Sequence, residues 1–435
     1  MSAPISKIAF HTLGCKLNFA ETAAIAQTVE AEGGYAKTEF TEPADFYVIN
    51  TCSVTESADK EMRQIVKRAL KLNASAKVIV IGCYAQLKPN EIAAIPGVSM
   101  VLGAKEKFKL HEHISELENQ TETIVSASEI EDVNFFSPAW SHGERTRTFL
   151  KIQDGCDYFC SFCTIPYARG ASRSASIIET VANAQKAAAE GAQEIVLTGV
   201  NIGDFGKTPD GNERTDENFF QLIQALDEEV NVPRFRISSI EPNLLSEEII
   251  RFVASSKRFM PHFHIPLQSG SNKTLKFMRR KYLREVYESR VQIIKELMPH
   301  CCIGVDVIVG FPGETDEDFL ETYNFLNGLD VSYFHVFTYS ERANTKAEKM
   351  EGVVPMEVRK ERNKRLRILS EKKRMAFYRK FEGSTRPVLW ESDNHDGTIN
   401  GFTDNYIKVE TRYDSNLPNT ITDFYIQLNE HLINN

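Results

Sequence analysis

The amino-acid sequence predicts an α/β protein in three parts: an N-terminal open parallel α/β sheet, a central partial (β/α)6 barrel and a small C-terminal antiparallel β barrel. Three observations predict it. Short apolar runs alternate with helix-spaced patterns between Ile5 and Lys107, and the alternation resumes at Arg147; this is the rhythm of parallel strands covered by helices. From Pro387 the pattern changes to short runs separated by turns such as Asp396-Gly397, as in a small antiparallel domain. A length of 435 residues, at ~150 residues per domain, leaves room for about three domains.

In the first part, residues 7–12, 45–50 and 77–82 read as buried strands, and Met62, Ile65, Val66, Ala69 and Leu70 share one helix face. The rhythm is lost over 108–146, so an N-terminal domain is expected over 1–116 and a linker over 117–146. Six strands follow, near 148–152, 194–198, 234–238, 262–266, 303–309 and 333–337, with helical patterns between them. Six units within 147–355 suit a partial barrel better than a complete eight-unit one. A basic helix occupies most of 356–384, and the β domain fills 385–435.

Composition narrows the function classes. The chain is 42% hydrophobic and 26% charged, as in a globular protein. Asp and Glu outnumber Lys and Arg 60 to 51, for a net charge of −9. That excludes an overall basic nucleic-acid binder while leaving a local basic patch open. The longest apolar run, around 303–311, is broken by Asp306 and is too short to cross a bilayer. Met1-Ser-Ala-Pro-Ile-Ser-Lys7 has no charged segment leading into an apolar one, so no secretory signal is expected. The expectation is a cytoplasmic protein with no membrane partner. Eight cysteines are too few for a disulfide scaffold, and in a reducing compartment their spacing needs another reason.

Three of them stand in Gln153-Asp-Gly-Cys-Asp-Tyr-Phe-Cys-Ser-Phe-Cys-Thr164, just after the first predicted barrel strand. Thiolates in one loop can wrap one face of a soft metal centre, and such barrels place their sites at C-terminal strand ends. On a four-iron cluster, Cys156, Cys160 and Cys163 leave one iron open to a cofactor or substrate. Structural zinc would need a fourth ligand, and no His lies at zinc-finger spacing. The C-x-x-x-C-x-x-C spacing, with Phe162 before the last cysteine, resembles the radical S-adenosylmethionine superfamily. That resemblance implies S-adenosylmethionine chelated at the open iron of a 4Fe-4S cluster and cleaved to a 5′-deoxyadenosyl radical. It also implies the six-unit partial barrel that the strand count gives independently.

Cys15, Cys52 and Cys83 each stand just past a predicted strand of the first sheet, where strand ends converge on one crevice. Any one alone reads as a small buried residue. Three in equivalent positions read as ligands of a second cluster. Cys301 and Cys302 are adjacent, lead into a strand, and are expected to be packing residues. The scattered N-terminal cysteines, the barrel triad and the terminal β domain together resemble the methylthiotransferase family. The likeness is carried by Leu13-Gly-Cys-Lys-Leu-Asn18, Asn50-Thr-Cys-Ser-Val-Thr55, Gly82-Cys-Tyr-Ala-Gln86, Tyr167-Ala-Arg-Gly170, His264-Ile-Pro-Leu-Gln-Ser-Gly-Ser271 and Asp306-Val-Ile-Val-Gly-Phe-Pro-Gly-Glu-Thr315. It implies an auxiliary 4Fe-4S cluster that carries sulfur, and S-adenosylmethionine as both radical source and methyl donor. It further implies a sulfur source, an electron-donor protein and a TRAM-like β barrel that helps hold tRNA.

Asn201, Ser239, Glu241, Gln268 and Asp306 lie at or near predicted strand ends, on the active face of such a barrel. Their amides, hydroxyl and carboxylates suit a ribose or an amino-acid head group, so with Phe162 they form the expected S-adenosylmethionine pocket. His262 and His264 share a strand, and one of them is expected to face the interior. Between Glu357 and Lys380 there are 11 Lys or Arg and 3 Glu, a net +8 that leaves −17 for the remainder. That helix, the cluster Arg279-Arg-Lys-Tyr-Leu-Arg284, and Trp390, Tyr406, Tyr413, Phe424 and Tyr425 would offer RNA phosphate contacts and stacking faces.

Family targets are adenosine 37 of the tRNA anticodon loop, carrying a threonylcarbamoyl or isopentenyl group on N6, and an aspartate of a small-subunit ribosomal protein. Leu13-Gly-Cys-Lys-Leu-Asn-Phe-Ala-Glu21 and Arg236-Ile-Ser-Ser-Ile-Glu-Pro242 resemble the threonylcarbamoyl branch. The expected reaction is therefore methylthiolation at C2 of N6-threonylcarbamoyladenosine 37, with Arg169, Arg173 or Arg279 reading the substrate carboxylate. Two competing classes are a non-catalytic iron–sulfur protein that binds RNA or senses redox state, and a radical enzyme that uses the second cluster for electron relay. The first has no need of a cofactor pocket; product analysis separates the second.

Overall fold

In the computed structural model, which describes residues 6–52, 56–120, 122–141 and 146–428, the first alternation folds as a six-stranded sheet. Its strands are β1 (Lys7–Thr12), β2 (Ala36–Thr38), β3 (Phe46–Thr51), β4 (Lys77–Gly82), β5 (Val98–Leu102) and β6 (Ile124–Ser126), all parallel in the order β2-β1-β3-β4-β5-β6. Residues 1–5, the Ser53-Val-Thr55 end of the second cysteine motif, and 121 and 142–145 of the expected linker lie outside the described residues. The period of two explains the burial on both faces. Tyr47 and Ile49 of β3 pack with Met62, Ile65, Val66 and Ala69 of the helix Glu56–Leu72. Phe46 and Val48 pack with Ile25 and Val29 of the first helix, Lys16–Gly33.

The stretch expected to be a linker does more than connect. Ile124–Ser126 is the sixth strand of the first sheet, and β7 (Ala139–Trp140) runs antiparallel to the first barrel strand, β8 (Arg147–Lys151). A two-strand ladder, β9 (Gln153–Asp154) with β10 (Arg173–Ser174), follows. The remaining barrel strands are β11 (Glu194–Thr198), β12 (Arg234–Ile237), β13 (His262–Gln268), β14 (Cys302–Val309) and β15 (Tyr333–Thr338). They form two parallel groups, β12-β11-β8 and β13-β14-β15, joined by the bridges Phe235↔Phe259 and Ser239↔His264. Among the described residues β8 and β15 do not pair, so the barrel is partial. The first helix packs Ala20 with Phe149 of β8 and Val196 of β11, which ties the N-terminal sheet to the barrel.

A helix, Met356–Arg379, leads to β16 (Thr385–His395), β17 (Thr398–Thr403), β18 (Lys408–Arg412) and β19 (Ile421–Tyr425). These make a four-stranded antiparallel sheet in the order β18-β17-β16-β19; among the described residues it is an open sheet where a barrel was expected. Trp390, 1% exposed, centres its core with Val388, Ile399, Ile407 and Val409, and Phe377, Tyr378 and Cys302 complete it. Trp390 is therefore a core residue and offers RNA no stacking face. Cys301 is equally buried, in the barrel core. Among the described residues no helix is long and apolar enough to cross a membrane.

Candidate active site

The three N-terminal cysteines stand at one end of the first sheet. Cys52 directly follows β3, Cys83 directly follows β4, and Cys15 precedes the first helix. Their loops are locked against one another. At Gly14 (φ +102°) a Cβ would stand 2.6 Å from the Cβ of Cys52, and at Gly82 (φ +99°) a Cβ would meet Asn50 Oδ1 at 2.3 Å. Asn18 donates to the carbonyls of Leu13 (2.9 Å) and Thr51 (3.1 Å) and accepts from Arg169 (2.6 Å). Burial raises the pKa of Cys83; Arg169 and Lys107 oppose that, and the nearby Cys15 adds to it. Asn50 Oδ1, beside Gly82, is buried without a hydrogen-bond partner.

Behind these thiols lies a buried ionic network between the two domains. Glu21 accepts from Arg169 (3.0 Å to each oxygen), Lys107 (2.6 Å) and Lys151 (2.8 Å). Asp154 accepts from Lys151 (2.7 Å), Arg169 (3.0 Å) and Arg173 (3.2 Å). Burial pushes both carboxyls up, but Arg169, the two lysines and Arg173 outweigh it and hold them well below the usual carboxylate range. Four cations face two carboxylates, and of these cations Arg169 and Lys107 act against the burial of Cys83.

This network occupies two of the three arginines expected to read a substrate carboxylate. Arg169 is bound to Glu21, Asp154 and Asn18. Arg173 donates to Asp154 and to the carbonyls of Phe135, Arg169 and Ala171. Arg279 is exposed. Its neighbour Arg280 points inward instead, for a local reason. Arg279 takes the left-handed conformation (φ +58°) beyond the helix Asn272–Phe277, and the amide of Arg280 donates back to Leu275 (3.0 Å).

The barrel cysteines sit on a loop that the β9–β10 ladder closes at its base. Gly155 (φ +69°) allows the turn into Cys156, whose amide donates to Gly170 (3.1 Å). Ser161 donates to the carbonyls of Met278 and Phe277, and Phe162 packs edge-on to Phe311. Burial pushes Cys156 and Cys163 up to about 12, and each feels the charge of neighbouring thiols. Arg280 donates to the sulfur of Cys160 (3.2 Å) and forms an ion pair with Glu241. Neither amide atom of Asn201, 3% exposed, has a hydrogen-bond partner. A buried thiol beside a guanidinium, two half-buried thiols on the same loop and an unpaired amide at the same barrel end fit an anionic cluster and a polar cofactor.

A cavity of about 250 Å³ opens at this loop, lined by Phe162, Cys163, Gln268, Asp306, Phe337 and Arg342. Gln268 is left-handed (φ +65°), and half-buried Ser239 bridges to His264. The structure thus brings Phe162, Gln268 and Asp306 to one cavity with Cys163, while Glu241 is committed to Arg280.

His262 and His264, two residues apart, share one face of β13, and both are buried; the expectation that one alone turns inward was a misreading of strand period. His264 lies 2.9 Å from Asp306, and with His335 their ligand-type atoms fall within 4.8 Å of one another. Tyr406 (φ +68°) closes the far end, its ring 4.3 Å from His262 and 4.9 Å from the Arg236 guanidinium. It too is packed inward; of the terminal aromatics, Tyr425 is the one that is 54% exposed. A second cleft, of about 480 Å³, opens beside the cysteine loop between Arg63, Tyr84 and Lys88 of the first domain and Thr164, Tyr167 and Arg342 of the barrel.

Fold and cysteine geometry together define a radical S-adenosylmethionine protein with an added thiol-bearing sheet. Comparison with known proteins agrees: residues 150–326 match the Radical SAM superfamily, and residues 7–103 match Uncharacterized protein family UPF0004. The threonylcarbamoyladenosine tRNA methylthiotransferase MtaB of Bacillus subtilis (strain 168) is 42% identical over 414 residues, covering 93% of this chain and 90% of that one. The MtaB of Aquifex aeolicus (strain VF5) is 38% identical, covering 93% and 96%. A tRNA-2-methylthio-N(6)-dimethylallyladenosine synthase of Wolinella succinogenes is 33% identical, covering 92% and 91%. Among solved structures, the radical S-adenosylmethionine methyltransferase TsrM from Kitasatospora setae superposes with a TM-score of 0.59 at 16% identity over 79% of this chain and 77% of that one; this likeness concerns the fold alone. The chain belongs to the radical S-adenosylmethionine methylthiotransferase family.

Proposed function

We propose that this protein inserts a methylthio group at C2 of N6-threonylcarbamoyladenosine 37 in tRNA. The observation that carries the reading is the pairing of two separate three-thiol sites, each at the C-terminal ends of parallel strands, in a chain that aligns over nearly its whole length with enzymes of that name. Held by Cys156, Cys160 and Cys163, a 4Fe-4S cluster with S-adenosylmethionine supplies radical and methyl chemistry, and a second at Cys15, Cys52 and Cys83 supplies sulfur.

The chain's own residues prepare these sites. Arg280 stabilises negative charge on Cys160, and the network around Glu21 and Asp154 does the same for Cys83. Gln268, Phe162 and Asp306 line the cavity beside Cys163 and would face S-adenosylmethionine, Asn201 and Ser239 would add polar groups at the same barrel end, and Glu241 orients Arg280. On the outside, Lys360, Lys364 and Arg367 line a groove of about 500 Å³ along the helix Met356–Arg379 and suit tRNA phosphates. An electron-donor protein and a sulfur source complete the cycle.

Nucleoside mass spectrometry tests the reading. The anaerobically reconstituted protein, given reductant, sulfide and S-adenosylmethionine, is expected to convert threonylcarbamoyladenosine in tRNA to its methylthio derivative and to leave isopentenyladenosine unchanged. Product on isopentenyladenosine alone, or on an aspartate of the ribosomal protein, would contradict it.

A further inference from the structure

We infer that His264, Asp306 and His335 form a binding site for a divalent first-row transition-metal ion, separate from both cysteine sets. The inference goes beyond the function proposed above and does not depend on it.

The three side chains come from adjacent strands. In the register of β13, β14 and β15, Asp306 stands beside His335, and His264 stands beside Gly304, two residues before Asp306. Residues two apart on a strand share a face, so all three project from one face of the sheet. Asp306 lines the cavity of about 250 Å³ beside Cys163, and so does Phe337, two residues beyond His335. The cluster therefore opens on that cavity.

The spacing is close to that of a ligand set. His264 Nε2 lies 2.9 Å from Asp306 Oδ1, and the ligand-type atoms of all three residues lie within 4.8 Å of one another. Atoms bound to one zinc-sized ion at ~2.1 Å stand roughly 3.0 to 3.4 Å apart. The first pair is already near that separation, and His335, which is exposed, is the ring with room to close the rest.

The surroundings are built to hold these rings. A Cβ at Gly304 would stand 2.9 Å from His264 Nδ1 and 2.5 Å from the Tyr333 hydroxyl, so the bare backbone is what admits both side chains. His335 stacks on His264 at 5.4 Å and meets the Tyr333 ring edge-on at 5.3 Å. An ion pair between His264 and Asp306 needs no second imidazole; His335 adds a third donor to it.

Donor chemistry names the ion. Two imidazole nitrogens and one carboxylate oxygen suit zinc or ferrous iron, whereas calcium and magnesium take oxygen ligands. Three protein ligands leave coordination open, as in catalytic rather than structural zinc sites. The open side faces the cavity, where an anionic oxygen could complete the sphere.

The test equilibrates reconstituted holoenzyme, both clusters in place, with Zn²⁺ alone, and counts retained zinc by mass spectrometry. Wild type is expected to hold about one zinc per chain. His335→Ala and Asp306→Asn should each weaken zinc binding by more than about tenfold, the least that losing even an outer partner of a metal ligand costs. X-ray absorption at the zinc edge reads this ion apart from cluster iron, and should show only nitrogen and oxygen at about 2.0 to 2.2 Å. No zinc retained by wild type, equal retention in wild type and both variants, or sulfur in the zinc shell would overturn the inference. Methylthio product is not a readout, so failure of the proposed reaction leaves the result standing.

Discussion

At Gly14 one methyl group decides whether the first thiol set can assemble. A Cβ there would stand 2.6 Å from the Cβ of Cys52, on a backbone (φ +102°) that side chains avoid. Gly14→Ala is therefore expected to displace Cys15 from Cys52 and to cut iron from about eight to about four per chain, while the barrel cluster and overall fold persist; retention of all iron would contradict this. That the cysteines follow strands was legible in the sequence, because apolar runs and spacing mark strand ends. The arginines were not. A basic side chain reports nothing about its partner, and whether Arg279 or Arg280 enters the site is set by one left-handed residue. Asn18 and Glu21, which bind the two domains, lie on a helix where nothing local marks them.

Among the elements, the six barrel strands were readable because each is a buried apolar run between helices. β2, β5, β6, β7, β9, β10 and β17 were not: β2, β6, β7, β9 and β10 are only two or three residues long, β5 is a five-residue run interrupted by Ser99, and β17 is Thr- and Asn-bearing with a central Gly401. The charge run of the Met356–Arg379 helix divides in a way composition could not show. Arg359 and Arg362 are buried against Tyr339 and Glu314, whereas Lys360, Lys364 and Arg367 are exposed.

The docking of the terminal sheet is also an element-scale matter, and it is pH-dependent. Glu194 of β11 holds Arg236, whose other nitrogen donates to the carbonyl of Asp404, while Arg234 donates to Pro387 and Phe402. Burial raises the pKa of Glu194, but the arginines prevail and bring it from 4.5 to about 2. A lowered carboxylate pKa contributes stability that is complete above the unfolded value and is lost as pH falls towards the folded one. Roughly 3 kcal/mol should therefore disappear as pH falls from about 4.5 to about 2. Unfolding measured across that range should show a shallower acid slope for Glu194→Gln than for wild type; identical slopes would rule out this linkage.

For the whole molecule, the proposed function requires a chain of net charge −9 to meet tRNA through a local surface. Replacing Lys360, Lys364 and Arg367 by Gln is expected to weaken tRNA binding on any sequence and to reduce the slope of log affinity against log salt by about two, with iron content unchanged. Arg359→Gln should instead lower thermal stability, since it strips donors from buried carbonyls. The larger claim is architectural: the partial barrel and the sheet packed against it each present three thiols, and neither set stands in for the other. The most direct measurement is iron per chain after anaerobic reconstitution, for wild type and for Cys15/Cys52/Cys83→Ala, alongside 5′-deoxyadenosine formation. About eight irons falling to about four, with S-adenosylmethionine cleavage retained and methylthio product abolished, is the predicted result. About four irons in both proteins would contradict the account and leave the N-terminal cysteines as packing residues.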